Sequence, residues 1–284
     1  MKAIGPIRPA RCSAVPAPAA DLLRRDVTMT LGLVFDEVAE LYDRIRPGYP
    51  DQAFADLGSL TGVGSGSSVL EIGCGTGQAT RSLAGLGYTV TALEPGHALA
   101  ARARRRLVRY PAVDVVPTTF ERWDDRGLRF DLLVAASSWH WVDPVVGWPR
   151  AHDVLRPGGW MALLGHVVVR RPEEPEMYAA TADLHERFAP GNPGWGNPPA
   201  EDEARAAADV EWPGFGPVTT RWYPTVQELD GAGLADLLRT TSLYRRLEPG
   251  VREPLLDAIA ERVRTDLDDR VVRRYLSVLR LAPR

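Results

Sequence analysis

The sequence predicts an α/β fold, a doubly wound and mostly parallel sheet with helices on both faces, and three observations carry that expectation. The run Val69-Leu70-Glu71-Ile72-Gly73-Cys74-Gly75-Thr76-Gly77-Gln78 is an apolar strand that breaks into three glycines spaced two apart and then takes a helical period. Strand-like and helix-like segments alternate from there to about residue 166, the pattern of β-α-β units. Residues suited to chemistry, Glu71 to Gly77, Glu94, Thr119 to Glu121 and Ser137 to Trp141, all fall at the carboxyl ends of those strands, where open sheets of this kind bind ligands.

Taken in order, residues 1–30 are rich in Ala, Pro and Arg and keep no period. Their prolines at 6, 9, 16 and 18 preclude a helix across the segment, which reads as a flexible tail with Met29 as an alternative start. Residues 31–68 form N-terminal helices: Phe35, Val38, Ala39, Leu41, Tyr42 and Ile45 keep a helical period that Pro47 stops, and a second helix spans 51–60. The core occupies 69–166, with strands near 69–73, 89–94, 113–117, 130–136 and 160–166 and helices near 77–85, 97–109 and 144–155. Residues 167–217 read as an insertion or lid on the substrate side. A helix is expected over 173–189, then a Pro/Gly/Asn loop whose one large apolar side chain, Trp195, is either core cover or a substrate lid. Residues 218–284 complete the sheet with strands at 218–223 and 271–281 and helices between.

Composition removes several classes of function. With 284 residues, 45% of them hydrophobic and 25% charged, the chain can build one full core plus an elaboration. Its formal net charge of −3 gives no basic field to recruit nucleic acid. The run Arg102, Arg104, Arg105, Arg106, Arg109 reads as the solvated face of a helix. Lys2 is the sole lysine, so no Gly-Lys-Ser/Thr phosphate loop exists. Two cysteines, Cys12 and Cys74, are too few for a disulfide framework, an iron–sulfur cluster or a thiolate zinc site. No metal site is expected, and a reducing cytoplasm is the natural compartment. No apolar run approaches the roughly 18 residues of a membrane span.

The loop itself narrows the cofactor. A dinucleotide fingerprint needs glycine or alanine three residues past Gly75, where Gln78 stands, and the third glycine comes one place early at Gly77. Glu71 lies two residues before the first glycine. A carboxylate there is costly to bury without a partner, which points to a cationic or donor-rich ligand. Glu94, ending the second strand, is placed to accept from both ribose hydroxyls of an adenosine, a feature that dehydrogenases share.

Four motifs in order, Glu71-x-Gly73-x-Gly75-x-Gly77, Tyr88 to Pro95 ending in Glu94-Pro95, Phe130 to Ala136, and Leu155-Arg156-Pro157-Gly158-Gly159-Trp160, resemble the class I S-adenosylmethionine-dependent methyltransferases, in their small-molecule "type 11" branch. Upstream, Tyr42-Asp43-x-x-Arg46-Pro47-x-Tyr49-Pro50 is similar to a segment that precedes the core in that branch. The resemblance covers roughly residues 35–165. It implies a Rossmann-like seven-stranded sheet with N-terminal helices and a C-terminal insertion, S-adenosyl-L-methionine as cofactor, and direct methyl transfer to O, N or C of a small molecule. The cofactor residues it implies are Tyr42, Arg46, Glu71, Gly73, Gly75, Gly77, Glu94, Pro95, Thr119, Phe120, Glu121 and Ser137. The family often has an aspartate near position 119, so the adenine contact falls here to Glu121 or to backbone.

His140 is the first candidate for a general base and His166 its rival, because a base is needed only where the nucleophile carries a proton. Tyr49, Trp139, His140, His166 and Trp195 are the candidates for the acceptor side. Eight tryptophans suggest an apolar or aromatic acceptor. Two other classes stay open: a nicotinamide-dependent oxidoreductase, and a catalytically silent cofactor-binding regulator. The sequence sets neither the acceptor atom nor the oligomeric state.

Overall fold

Apolar runs buried on both faces make the central strands. The computed structural model describes residues 35–171, 177–192, 195–207 and 211–284. The expectations for residues 1–30 and for parts of the 167–217 insertion lie outside the described residues. A short 3₁₀ turn, Asp36–Val38, leads into α1 (Ala39–Ile45), α2 (Asp51–Thr61), β1 (Ser68–Ile72), α3 (Gln78–Gly85), β2 (Thr89–Leu93), α4 (His97–Arg106), β3 (Val113–Val116) and β4 (Phe130–Ala136). After the 3₁₀ turn Trp139–Trp141 come α5 (Pro144–Val154), β5 (Leu155–Val169), α6 (Met177–Ala180), α7 (Ala182–Phe188), α8 (Glu201–Ala206), β6 (Thr219–Leu229), α9 (Gly231–Arg239), α10 (Ser242–Arg245), α11 (Pro249–Asp266) and β7 (Val271–Pro283).

The seven strands form one sheet in the order β3-β2-β1-β4-β5-β7-β6. The first five are mutually parallel, and β7 runs antiparallel to β5 and β6. Chain order reverses between β1 and β4, the switch point beside which such sheets bind ligands. β5 begins at Leu155 and ends at Val169, longer at both ends than the expected 160–166. Its far half is held by β7, with Val168 opposite Tyr275 and Val169 opposite Arg274, beyond the reach of β4. The same pairing carries β6 on to Leu229 rather than Tyr223. The helix expected over 173–189 is broken at Thr181, whose hydroxyl bonds back to the Met177 carbonyl at 2.7 Å.

The arginine run of α4 is not a simply solvated face. Arg102 pairs with Asp43 at 2.8 Å, Arg106 pairs with the same carboxylate, and Arg104 donates to the Val115 carbonyl at 2.6 Å. The two pairs with Asp43 clamp α1 onto α4, and the Arg104 bond ties α4 to β3. On the other side Arg44 pairs with Asp236 of α9 at 3.0 Å, and Gln227 of β6 donates to the Ile45 carbonyl at 3.0 Å. A separate apolar cluster, including Leu234, Leu238, Tyr244, Leu255, Ile259 and Val263, joins α9, α10 and α11 to α6 and α7.

Candidate functional site at the strand edge

The turn from β1 into α3 is built by its glycines in different ways. At Gly75 φ is +57°, a left-handed conformation that a Cβ disfavours, and a Cβ there would meet nothing within 4 Å, so this side of the loop is open. At Gly73 the constraint is packing, since a Cβ would fall 2.6 Å from that of Ser138. Glu94 holds the loop from the neighbouring strand. One carboxylate oxygen accepts from Gly75 N at 2.8 Å and the other from Gly96 N at 2.8 Å. Each oxygen keeps a second lone pair for a hydroxyl donor. The loop's own N–H groups are thus bound by Glu94 and not by Glu71.

Glu71 is 1% exposed, and neither carboxylate oxygen has a hydrogen-bond partner. Burial raises its pKa to about 7, against the lowering effect of the Thr80 hydroxyl, and the charge of Glu94 adds to the rise. Glu94 also stands at about 7, raised by burial, lowered by the N–H groups of Gly96 and Gly75, and raised again by Asp36. The hydroxyls of Thr76 and Thr119 are likewise buried without partners, and the buried Thr80 hydroxyl faces the Glu71 carboxylate. Orphaned buried polar groups are uncommon in folded proteins. Two acids and three hydroxyls around an open glycine turn fit a ligand bearing an ammonium and several hydroxyls, which is the chemistry of S-adenosylmethionine.

A second group of residues meets the end of β4. Ser137 adopts φ +56°, strained for a non-glycine residue, while its N–H is held by the Leu164 carbonyl at 2.8 Å. Its hydroxyl lies 2.7 Å from the Tyr49 hydroxyl, and the Tyr49 ring stacks on His166 with centroids 4.6 Å apart. Nδ1 of His166 is 3.0 Å from the Ser277 hydroxyl, while its Nε2 is buried and unpartnered. Burial, aided by the positive charge of Arg46, lowers the pKa of His166 to about 4. Burial also pushes the Tyr49 phenol above its ordinary value. Arg46 lies over the Tyr42 ring at 5.0 Å and donates to the Thr240 carbonyl at 2.5 Å, and it forms no ion pair with Asp43 or Asp51. Its own carbonyl accepts from Gln78 at 3.4 Å, which ties this segment to α3. His140 is exposed on the 3₁₀ turn, 4.6 Å from the Trp141 ring, with its pKa lowered by the surrounding protein.

Other expected residues have structural contacts. Phe120 is 2% exposed within the core, its ring covered by Arg150 at 5.3 Å. Trp139 packs against Trp148 at 4.9 Å and Phe120 at 6.2 Å. Glu121 accepts from Asp143 N at 2.9 Å, at the start of α5. Pro95 is half-buried in the turn from β2 to α4. Trp195 gives its indole N–H to the Ala189 carbonyl at 3.0 Å and packs on His185 and Tyr244, the core-cover alternative. Seven of the eight tryptophans belong to the apolar clusters, so their number no longer argues for an aromatic acceptor.

Sequence reading missed Asp36, which accepts from Leu99 N at 2.9 Å and caps α4 beside Glu94. It also missed Thr76, Thr80, Thr225, Gln227, Arg273, Tyr275 and Ser277. The last three had a signal: polar side chains at alternate positions 273, 275 and 277 of a strand whose other residues, apart from Arg274 and Arg280, are apolar.

The sheet order, the open turn between Glu71 and Glu94 and the covering N-terminal helices together define a class I methyltransferase core. The comparisons agree. A family model described as a methyltransferase domain matches residues 70–163, so this segment is a methyltransferase domain of the class I S-adenosylmethionine-dependent kind. An uncharacterized methyltransferase of Mycobacterium tuberculosis is 33% identical over 143 residues, 50% of this chain and 54% of that protein. A trans-aconitate 2-methyltransferase of the same species is 29% identical over 146 residues, 46% of this chain and 52% of that protein. The chain thus spans about half the length of these curated relatives. A solved structure of a candidate type II methyltransferase from Anaeromyxobacter dehalogenans superposes with a TM-score of 0.59 at 26% identity, covering 84% of this chain and 97% of that one. Nothing in these comparisons supports the oxidoreductase or silent-regulator alternatives.

Proposed function

We propose that this protein transfers a methyl group from S-adenosylmethionine to O, N or C of a small molecule. The observation that carries the reading is the buried, unpartnered Glu71 carboxylate beside the glycine turn that is open at Gly75. Glu71 receives the cofactor ammonium, and Glu94 accepts from ribose hydroxyls through its remaining lone pairs while keeping Gly75 and Gly96. Thr119 and Glu121, with Phe120 and Pro95 as apolar walls, flank the base. Arg46 faces the cofactor carboxylate, with Tyr42 beneath it. Residues 35–68 cover this site, and the described parts of 167–217 border the acceptor. A free, buried Cys74 thiol suits a reducing cytoplasm.

S-adenosylmethionine brings an electrophilic methyl on a sulfonium, so the protein's task is alignment and water exclusion. Ser137 and Tyr49 close the end of β4 where the acceptor approaches. His166, neutral at physiological pH, offers Nε2 to the acceptor and takes its proton as the new bond forms, with Ser277 fixing the ring through Nδ1. His140 stands on the exposed rim and serves acceptor entry. Calorimetric titration tests the reading: S-adenosylmethionine and S-adenosylhomocysteine should bind and NAD and NADP should not. The opposite order of affinities overturns it. Since one relative is named for trans-aconitate, that acid belongs in an acceptor screen with amines and phenols.

A further inference from the structure

Two arginines on the acceptor side lack an acid. Their neighbours do not: Arg44 pairs with Asp236, Arg239 and Arg252 with Glu253, and Arg270 with Glu228. Arg46 and Arg273, by contrast, form no salt bridge among the described residues, and the Nε of each is buried without a partner; Arg280 of β7 shares that state but lies on the opposite face of the strand, over Trp222 at 6.0 Å. Arg46 has a carbonyl and the reading above gives it the cofactor carboxylate. Arg273 is only 8% exposed and has the face of Tyr275, at 5.7 Å. A guanidinium taken out of water without a counter-charge is costly. An anionic ligand removes that cost.

Strand register places Arg273 relative to the reacting end. Ser277 lies opposite His166 and Tyr223, Tyr275 opposite Val168 and Thr225, and Arg273 opposite Gln227. Side chains at 273, 275 and 277 share one face, the one on which His166 meets Ser277. Tyr275 meets His166 edge-on at 5.7 Å and donates to Gln227 at 3.1 Å, and Gln227 in turn holds the Ile45 carbonyl beside Arg46. The Thr225 hydroxyl, across from Tyr275, is also buried and unpartnered. From Ser277 to Arg273 is about 13 Å along the strand, and the guanidinium lies over Tyr275, the ring between them.

We propose that Arg273 is a specificity residue that binds a carboxylate of the methyl acceptor, with the Thr225 hydroxyl as a second donor, at the end of the acceptor away from the glycine loop. The inference rests on the methyltransferase reading and gives it a substrate class: small organic acids. Arg273 supplies the planar pair of N–H groups that a carboxylate accepts side by side. A neutral analogue would leave the guanidinium buried and unpaired, so selection against amides and esters follows from the same cost.

The test uses the full chain saturated with S-adenosylhomocysteine and titrated calorimetrically with citrate, succinate and benzoate, with succinamide and benzamide as neutral counterparts and inorganic phosphate as a second anion. At least one carboxylate should bind and its amide should not. Arg273→Gln should weaken that carboxylate roughly 10- to 100-fold, Arg273→Lys should restore part of the loss, and S-adenosylhomocysteine affinity should stay constant. Should the glutamine variant not fold, the lysine variant decides, by weakening the carboxylate while the adenosyl ligand binds normally. The proposal is overturned if no carboxylate binds, if acid and amide bind alike, if phosphate alone binds, if carboxylate binding is the same in the variants, or if Arg273→Gln weakens S-adenosylhomocysteine instead. A wild-type protein that does not bind S-adenosylhomocysteine overturns the methyltransferase reading itself, which separates the two failures.

Discussion

The parallel half of the sheet and its antiparallel extension build a site in opposite ways. On β1, β2 and β4 the chemistry lies in loops, where the chain leaves the sheet: the glycine turn, Glu94 and the strained Ser137. On β5, β7 and β6 it lies within the strands, as alternate side chains, His166, Ser277, Tyr275, Arg273 and Thr225, brought together by register. The first region depends on local backbone geometry and the second on pairing between segments distant in the chain, up to 111 residues apart in the bond from His166 to Ser277. Substitutions should therefore separate cofactor binding from acceptor handling.

The largest effect is expected at Gly75. Gly75→Val places a β-branched residue at φ +57° and puts its side chain into the open face of the turn. Cofactor affinity should fall by about 1,000-fold, equivalent to about 4 kcal/mol, while the circular dichroism spectrum stays that of the parent. Near-parental affinity by calorimetry would mean that the ligand does not lie against this turn.

Next comes His166. His166→Ala should lower turnover about 100-fold with S-adenosylhomocysteine affinity unchanged, and His140→Ala should cost much less, since its ring is exposed and off the buried row. With the pKa of His166 at about 4, the acid limb of kcat should lie well below the ordinary histidine range. A limb near neutrality that disappears in His140→Ala would return the base role to His140.

These two regions also differ in how far the sequence reveals them. Every strand and helix of the parallel half was legible, because burial on both faces enforces apolar runs and glycine marks the turns. Glu71, Gly75 and Glu94 stood out for the same reason. What their acids hold was not: Glu94 takes the loop N–H groups because the fold brings Gly75 to it from another strand. In the antiparallel half the strands at 218 and 271 were visible but not their lengths, which pairing sets. In the sequence Arg273 is one charge among many, since the lack of an acid nearby is a property of the packed chain. Tryptophan misled in the other direction: its rings fill gaps between α5, the 211–218 segment and the sheet rather than lining an acceptor site.

Glu94 tests how tightly the loop depends on its neighbour strand. Glu94→Ala removes a ribose acceptor and leaves Gly75 N and Gly96 N without their partner, so cofactor affinity should fall by about 1–3 kcal/mol and the thermal midpoint should drop as well. Glu94→Gln keeps one oxygen and should recover part of each. A fall in affinity with no change in midpoint would assign Glu94 to the ligand alone.

The smallest effect is a pH dependence that sets the two regions against each other. In the unfolded chain Glu71 and Glu94 titrate near 4.5, and in the free folded protein near 7, so the fold binds more protons between those values. Their contribution to stability is therefore lost as pH rises from about 4.5 to 7. His166 works the other way: its pKa falls from 6.5 to about 4 on folding, so its contribution is lost as pH falls through that window. The two overlap, which makes a melting profile a poor readout and cofactor binding a better one. An ammonium at Glu71 and hydroxyls at Glu94 favour the ionised acids, so binding near pH 6 should release protons and affinity should rise roughly tenfold towards pH 8. Calorimetry in two buffers of different ionisation enthalpy measures that release. Arg273→Gln should leave it intact, because the arginine acts on the acceptor side, whereas Glu71→Gln should reduce it. Equal heats in both buffers, with affinity flat across this range, would show that the buried acids do not change protonation when the cofactor binds, and would remove Glu71 from the ammonium.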